Sequence, residues 1–316
     1  MADLPKAVHI MEVGPRDGLQ IEPRTLSADD KARLIDALVG AGISEIEVGS
    51  FVNPKAVPQM ADTEEVVKRL QPRPGVRYRA LWLNAKGLER ALATGKVHME
   101  GKLTLTSSET FVKRNTNRTI EQTIAEMPQW IGHYKAAGIT VDGLGLMAAF
   151  GCNFEGDIPG DRVVGLVERT ASVMREHGCE LEHLLLADTM GWANPAQIQR
   201  LIGAIRQRWP RMTLKLHLHD TRGLAMANAF AAISLGVTEF DAAIGGLGGC
   251  PFAGHKGAAG NICTEDLAFM CEEMGIETGI DLDALVAAAQ LAEELVGHPL
   301  PSKLAKGGTL SRFRSR

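Results

Sequence analysis

Short apolar runs alternate with longer stretches of helical spacing along most of this chain. Residues 8–13 read as a first strand, followed by Ser27-Ala28-Asp29-Asp30, where a serine can cap a helix and two acids suit its first turn. That helix runs through Leu38, and Gly40 and Gly42 end it. The same rhythm predicts strands at 45–48, 77–83, 97–105, 140–146, 183–187, 213–218 and 239–244. Helices are predicted at 63–70, 85–93, 117–137, 159–177, 195–208, 223–235 and 264–274.

Alternating β and α units imply a parallel sheet with right-handed crossovers, and eight units imply a closed (β/α)8 TIM barrel of the α/β class. An open doubly wound sheet is the runner-up. Against it, no G-x-G-x-x-G follows the first strand and no G-x-x-x-x-G-K-S/T occurs. The expectation is a single catalytic domain over 1–316, with the barrel over about 8–275, an additional C-terminal helical segment over about 280–305 and a flexible tail at 306–316. Residues 281–296 have helical spacing and either pack on the barrel or join an oligomer contact.

Composition removes several classes of function. A net charge of −4 and a pI near 6.2 give no broad attraction to nucleic acid or to a membrane surface. The apolar runs are too short and too interrupted by glycine to span a bilayer, and the start of the chain lacks the pattern of a signal peptide. Five cysteines without a C-x-x-C pair suggest reduced thiols in a cytosol, so a cytoplasmic location is expected.

In a barrel of this kind the chemistry sits at the C-terminal strand ends, and the polar residues cluster there. His217 and His219 are two apart on a strand, so both imidazoles point to one side. Closure of strand eight onto strand one would bring Asp17 and Asn261 to the same sector. Two imidazoles, a carboxylate and an amide oxygen form a mixed N/O set for a divalent ion, Mg²⁺ or Mn²⁺ foremost, with Zn²⁺ or Co²⁺ able to substitute. Taken singly, Asp17 could be a turn-forming acid and Asn261 a helix cap.

Arg16 precedes Asp17 and suits stabilising an oxyanion, or pairing with a barrel carboxylate such as Glu47. Asp188 ends strand six. The loop from Gly245 to Gly260 contains seven glycines, a composition suited to closing over a substrate or approaching it by backbone. Cys250 lies within that loop and can exchange a proton at the active site; Cys152 is balanced between chemistry and packing, and the other cysteines read as packed.

Taken together, Val13-Gly14-Pro15-Arg16-Asp17-Gly18-Leu19-Gln20, Ser50-Phe51-Val52, Val57-Pro58-Gln59-Met60, His217-Leu218-His219-Asp220-Thr221 and Gly246-Leu247-Gly248-Gly249-Cys250-Pro251 resemble the motifs of the 3-hydroxy-3-methylglutaryl-CoA lyases. The resemblance extends over about 8–305 and keeps the motif order. It implies a metal-dependent retro-Claisen lyase that cleaves an acyl-CoA thioester to acetyl-CoA and a keto acid, acetoacetate for the named substrate, as in leucine breakdown and ketone-body formation. It also implies metal ligation by Asp17, His217, His219 and Asn261, a thioester-carbonyl role for Arg16, a catalytic role for Cys250, and activity-supporting acids at Glu47 and Asp188. Asp17 and His217 are both candidates for the base. No organic cofactor is needed, and a homo-oligomer, dimer or tetramer, is expected.

The sequence departs from the family pattern in several places. It has Ile21-Glu22-Pro23-Arg24 after Gln20, Val48-Gly49 before Ser50, Trp82-Leu83-Asn84, Gly151-Cys152-Asn153-Phe154, and Trp192 after Gly191. These changes ring the reacting centre without touching it. They keep open a related thioester such as citramalyl-CoA, and a Claisen-condensing acyltransferase of the isopropylmalate synthase type stands as a further alternative.

Overall fold

The computed structural model describes residues 4–248 and 260–314. Along the chain run β1 (His9–Glu12), β2 (Glu45–Ser50), β3 (Arg77–Leu81), β4 (Gly101–Thr106), β5 (Val141–Met147), β6 (His183–Asp188), β7 (Thr213–Leu218) and β8 (Glu239–Ala242). The helices between and after them are α1 (Ala28–Gly40), α2 (Thr63–Arg69), α3 (Ala85–Ala93), α4 (Glu109–Thr116), α5 (Ile120–Ala136), α6 (Gly160–Glu176), α7 (Pro195–Arg208), α8 (Ala225–Ile233), α9 (Thr264–Glu273) and α10 (Leu282–Val296). The predicted strand-then-helix rhythm is therefore present throughout.

The chain divides into two compact units. One is centred on Met99–Glu239. Its strands lie in the order β4-β5-β6-β7, all parallel, with Leu144 opposite Leu184 and Ala187 opposite His217. Leu184, Leu186, Leu216 and Leu218 are fully buried, as both-face coverage of a parallel sheet requires. The other unit contains Lys6–His98 and the described residues from Phe240 onward. Its strands lie in the order β3-β2-β1-β8, and β2 is buried at every position. The β1–β2 and β2–β3 pairings are parallel.

Capping follows the sequence closely. The Ser27 side chain accepts from the Asp30 amide at the start of α1, and Asn194 with Gln197 forms a reciprocal capping box on α7. Residue 281 caps α10, and the apolar stripe of that helix, including Leu285, Ala288, Ala292 and Val296, is buried; α10 packs on α1 within the second unit.

Two expectations required correction. The helix predicted over 117–137 is α5, which begins at Ile120, and the shorter α4 before it was not predicted. Asn117 adopts φ +56°, in the left-handed region, and ends α4; Thr119 and Gln122 then form a capping box that starts α5. The left-handed residue at 117 and the capping box at 119–122 fix the boundary between the two helices, which polar–apolar spacing alone does not mark. The strand predicted over 97–105 begins only at Gly101, where a side chain would strike the Thr140 carbonyl.

Candidate active site

In the first unit the candidate side chains stand at the ends of β6 and β7. His217 and His219 converge as period-two spacing demands, with their Nε2 atoms 3.1 Å apart. His219 is buried and His217 half-buried. Asp188, at the end of β6, is also buried and accepts the amides of Trp192 (2.7 Å) and Ala193 (3.1 Å). Burial raises its carboxyl to about 6, although those two amides and the charges of His217 and Arg222 pull the other way.

Two of the departures from the family pattern meet here. The Trp192 indole N–H donates to Asn153 Oδ1 at 2.6 Å, and a side chain at Gly151 would collide with the same indole. Arg222 donates to the carbonyls of Met190 and Gly191. Cys152 is buried and accepts from Ser108 Oγ at 3.0 Å, which fits packing. Cys179, Cys263 and Cys271 are buried, as a packed role requires.

In the second unit β1 runs into a tight turn. The amides of Arg16, Asp17 and Gly18 all point at the Val13 carbonyl. The Arg16 guanidinium pairs through Nε with Glu47 (2.5 Å) and through Nη1 with Asp17 (2.7 Å). Burial disfavours its charge, but Glu47 and Asp17 outweigh that and hold its pKa above the ordinary arginine value. It is a permanently charged, positioned donor. Pairing with Glu47 and a site role are therefore compatible.

Asp17 also accepts from Gln20 Nε2 (2.9 Å) and Asn261 Nδ2 (2.9 Å). The Asn261 amide is fixed by a further bond from Nδ2 to the Leu247 carbonyl (2.9 Å). Among the described residues its buried Oδ1 has no hydrogen-bond partner. A buried amide oxygen in that state is costly unless something electropositive meets it, so Asn261 fits a cation ligand. The reading of Asn261 as a helix cap is not seen, because the N-cap of α9 is Cys263. Cys250 lies outside the described residues. Gly248, just before them, adopts φ +96° and passes so near Asn261 Nδ2 that a Cβ would sit 2.6 Å from it.

Sequence reasoning missed Glu12 and left Gln20 without a role. Glu12 is fully buried, and it accepts from Gly14 N, Ile244 N and Thr264 Oγ1. The available signal was an acid at the end of an apolar strand. Burial raises its carboxyl from 4.5 to about 7 against the pull of those three donors. An acid that binds its proton more tightly folded than unfolded gives most stability below about pH 4.5 and loses it as pH rises through about 7, a change of roughly 3 kcal/mol. Glu12→Gln is thus expected to melt progressively higher relative to the parent on going from about pH 5 to about pH 8. Parallel melting curves at both pH values measure this, and a constant difference would contradict the titration.

Comparison with known proteins matches the family model described as HMGL-like to residues 7–292. The chain belongs to the HMGL-like family. It is 41% identical over 299 residues to hydroxymethylglutaryl-CoA lyase YngG of Bacillus subtilis, covering 95% of this chain and 96% of that protein. It is 40% identical over 313 residues to the (R)-citramalyl-CoA lyase of Chloroflexus aurantiacus, covering 96% and 95%. Among solved structures, the lyase from Acinetobacter baumannii in complex with coenzyme A and 3-methylmalate superposes with a TM-score of 0.86 at 41% identity, over 98% of each chain. The crystal structure of the Pseudomonas aeruginosa hydroxymethylglutaryl-CoA lyase gives 0.87 at 39% identity, over 96% of this chain and 98% of that one. As a member of the HMGL-like family the chain has the TIM-barrel fold class that the strand count predicts.

Proposed function

We propose that the protein is a divalent-metal-dependent carbon–carbon lyase that cleaves 3-hydroxy-3-methylglutaryl-CoA to acetyl-CoA and acetoacetate. The reading rests on family membership, and one observation carries its chemistry: a half-buried arginine locked between Glu47 and the ligand candidate Asp17. In this reading the ligands are Asp17, His217, His219 and Asn261, the last through its Oδ1. This mixed N/O set favours Mg²⁺ or Mn²⁺. The ion, when bound, supplies Lewis-acid polarisation of the substrate's 3-hydroxyl and a carboxylate oxygen.

The residues of the chain then divide the work. Asp17 or His217 takes the hydroxyl proton. The O–H electron pair becomes the new carbonyl, the C2–C3 bond breaks, and its electrons pass onto the thioester as an enolate. Arg16 stabilises the enolate oxygen with a charge already aligned, so little reorganisation is needed. Cys250 returns a proton to C2 and completes acetyl-CoA. Glu47 holds the Arg16 fork, and Asp188, with its carboxyl near 6, can hold a proton close to neutral pH.

The whole chain acts as one catalytic domain, in the cytosol, as a homo-oligomer; among the described residues no helix is long and apolar enough to cross a membrane. Citramalyl-CoA is a second substrate reading, favoured by the relative from Chloroflexus aurantiacus. A thioester panel with Mg²⁺ or Mn²⁺, following acetyl-CoA release by mass, tests both. Release from 3-hydroxy-3-methylglutaryl-CoA is expected. Release from citramalyl-CoA alone would move the assignment to that substrate. Failure with every thioester would end the lyase reading, and free thiol formed from acetyl-CoA with a 2-oxo acid would favour condensation.

A further inference from the structure

We propose that Glu12 is a positioning residue, one carboxylate that ties together the three segments carrying Arg16 and Asp17, the Gly245–Gly248 approach, and Asn261. Its catalytic meaning rests on the function proposed above; its structural meaning does not. Glu12 Oε1 accepts from Gly14 N at 2.7 Å, two residues before Arg16, and from Ile244 N at 2.9 Å, where β8 turns toward Gly248. Oε2 accepts from Thr264 Oγ1 at 2.6 Å, three residues after Asn261. Glu265 continues the clamp, since both its oxygens lie 3.1 Å from the next amide, Gly245 N.

The local sequence is cut to fit this acid. A Cβ on Gly14 would stand 2.6 Å from Glu12 Oε1 and 3.1 Å from Ile244 Cγ2, so only glycine lets one oxygen reach both amides. Glu12 is fully buried, so its removal takes away the partner of two buried backbone donors. A bare donor pair at the junction of three segments is relieved by shifting one of them. Displacements of about 1 Å at supporting positions cost catalysis about 10²-fold. Glutamine retains the geometry: its oxygen serves both amides, and its NH₂ donates to Thr264 Oγ1, which reverses its role.

The test compares Glu12→Ala with Glu12→Gln in the full-length protein. For Glu12→Ala, kcat should fall about 10²-fold with KM changed far less, and Mn²⁺ affinity, read by electron paramagnetic resonance, should fall about tenfold. Hydrogen exchange over 13–20 and 244–248 should quicken. Glu12→Gln should restore all three. If Glu12→Ala does not fold, Thr264→Val cuts one strap and should weaken Mn²⁺ binding, while Thr264→Ser should not. Unchanged exchange and Mn²⁺ affinity in folded Glu12→Ala or Thr264→Val would overturn the clamp, as would Glu12→Gln failing as badly as alanine. Exchange and Mn²⁺ binding need no thioester, so loss of the lyase reading would appear separately, as a parent protein that cleaves nothing.

Discussion

Arg16→Gln is expected to keep its divalent ion while cleaving thioester about 10²–10³-fold more slowly, the loss typical of one oxyanion donor. The metal should stay because Asp17 does not depend on Arg16 alone: Gln20 and Asn261 each donate to it at 2.9 Å. The defect should appear in kcat and kcat/KM alike, since the lost contact matters in the transition state. Stability should fall as well. The guanidinium joins Glu47 and Asp17 at low exposure, and removing one partner of such an arrangement costs about 3 kcal/mol. Arg16→Lys should be intermediate, because an ammonium keeps the charge but not the fork that engages both acids. Single-turnover rates and metal content by atomic emission check the separation. Unchanged turnover in Arg16→Gln would remove the arginine from the mechanism.

His219→Ala should lose the ion. Residues that merely orient ligands change metal affinity about 10–100-fold, and a ligand should exceed that. The variant offers a readout free of catalysis. A ligand at about 100 times its Kd stabilises the folded state by about 2.7 kcal/mol, so Mn²⁺ should raise the melting temperature of the parent and leave His219→Ala unmoved. The His217 ring, with its Nε2 3.1 Å from that of His219 in the parent, would remain as the lone imidazole of the pair. An equal Mn²⁺ shift in both proteins, or full occupancy in the variant, would sink ligation by His219.

What could be read from the sequence was local or periodic. The convergence of His217 and His219 follows from a strand repeat of two, and the serine cap and acidic first turn read at 27–30 are those of α1. Helix α4 was missed, and α5 was begun three residues early, because periodicity was weighed over the local signals at Ser108, Asn117 and the Thr119–Gln122 capping pair. Glu12 was missed for a different reason. Two of its three donors come from positions 232 and 252 residues away, and no window of sequence contains them. The Trp192–Asn153 bond is similar: each residue stood out as a departure, yet their partnership spans 39 residues and two loops. The metal set was proposed from residue type and strand-end position, whereas the fixed amide of Asn261 needed coordinates.

Gly248 and Gly260 approach so closely that a Cβ on Gly260 would overlap the Gly248 carbonyl. These two glycines are thus joined at a single point of the scaffold. Lengthening a connection whose ends are already joined adds only a logarithmic entropy cost, about 0.6 kcal/mol per doubling. A change in the number of residues between these two glycines is therefore expected to leave the stability of the surrounding scaffold nearly unchanged.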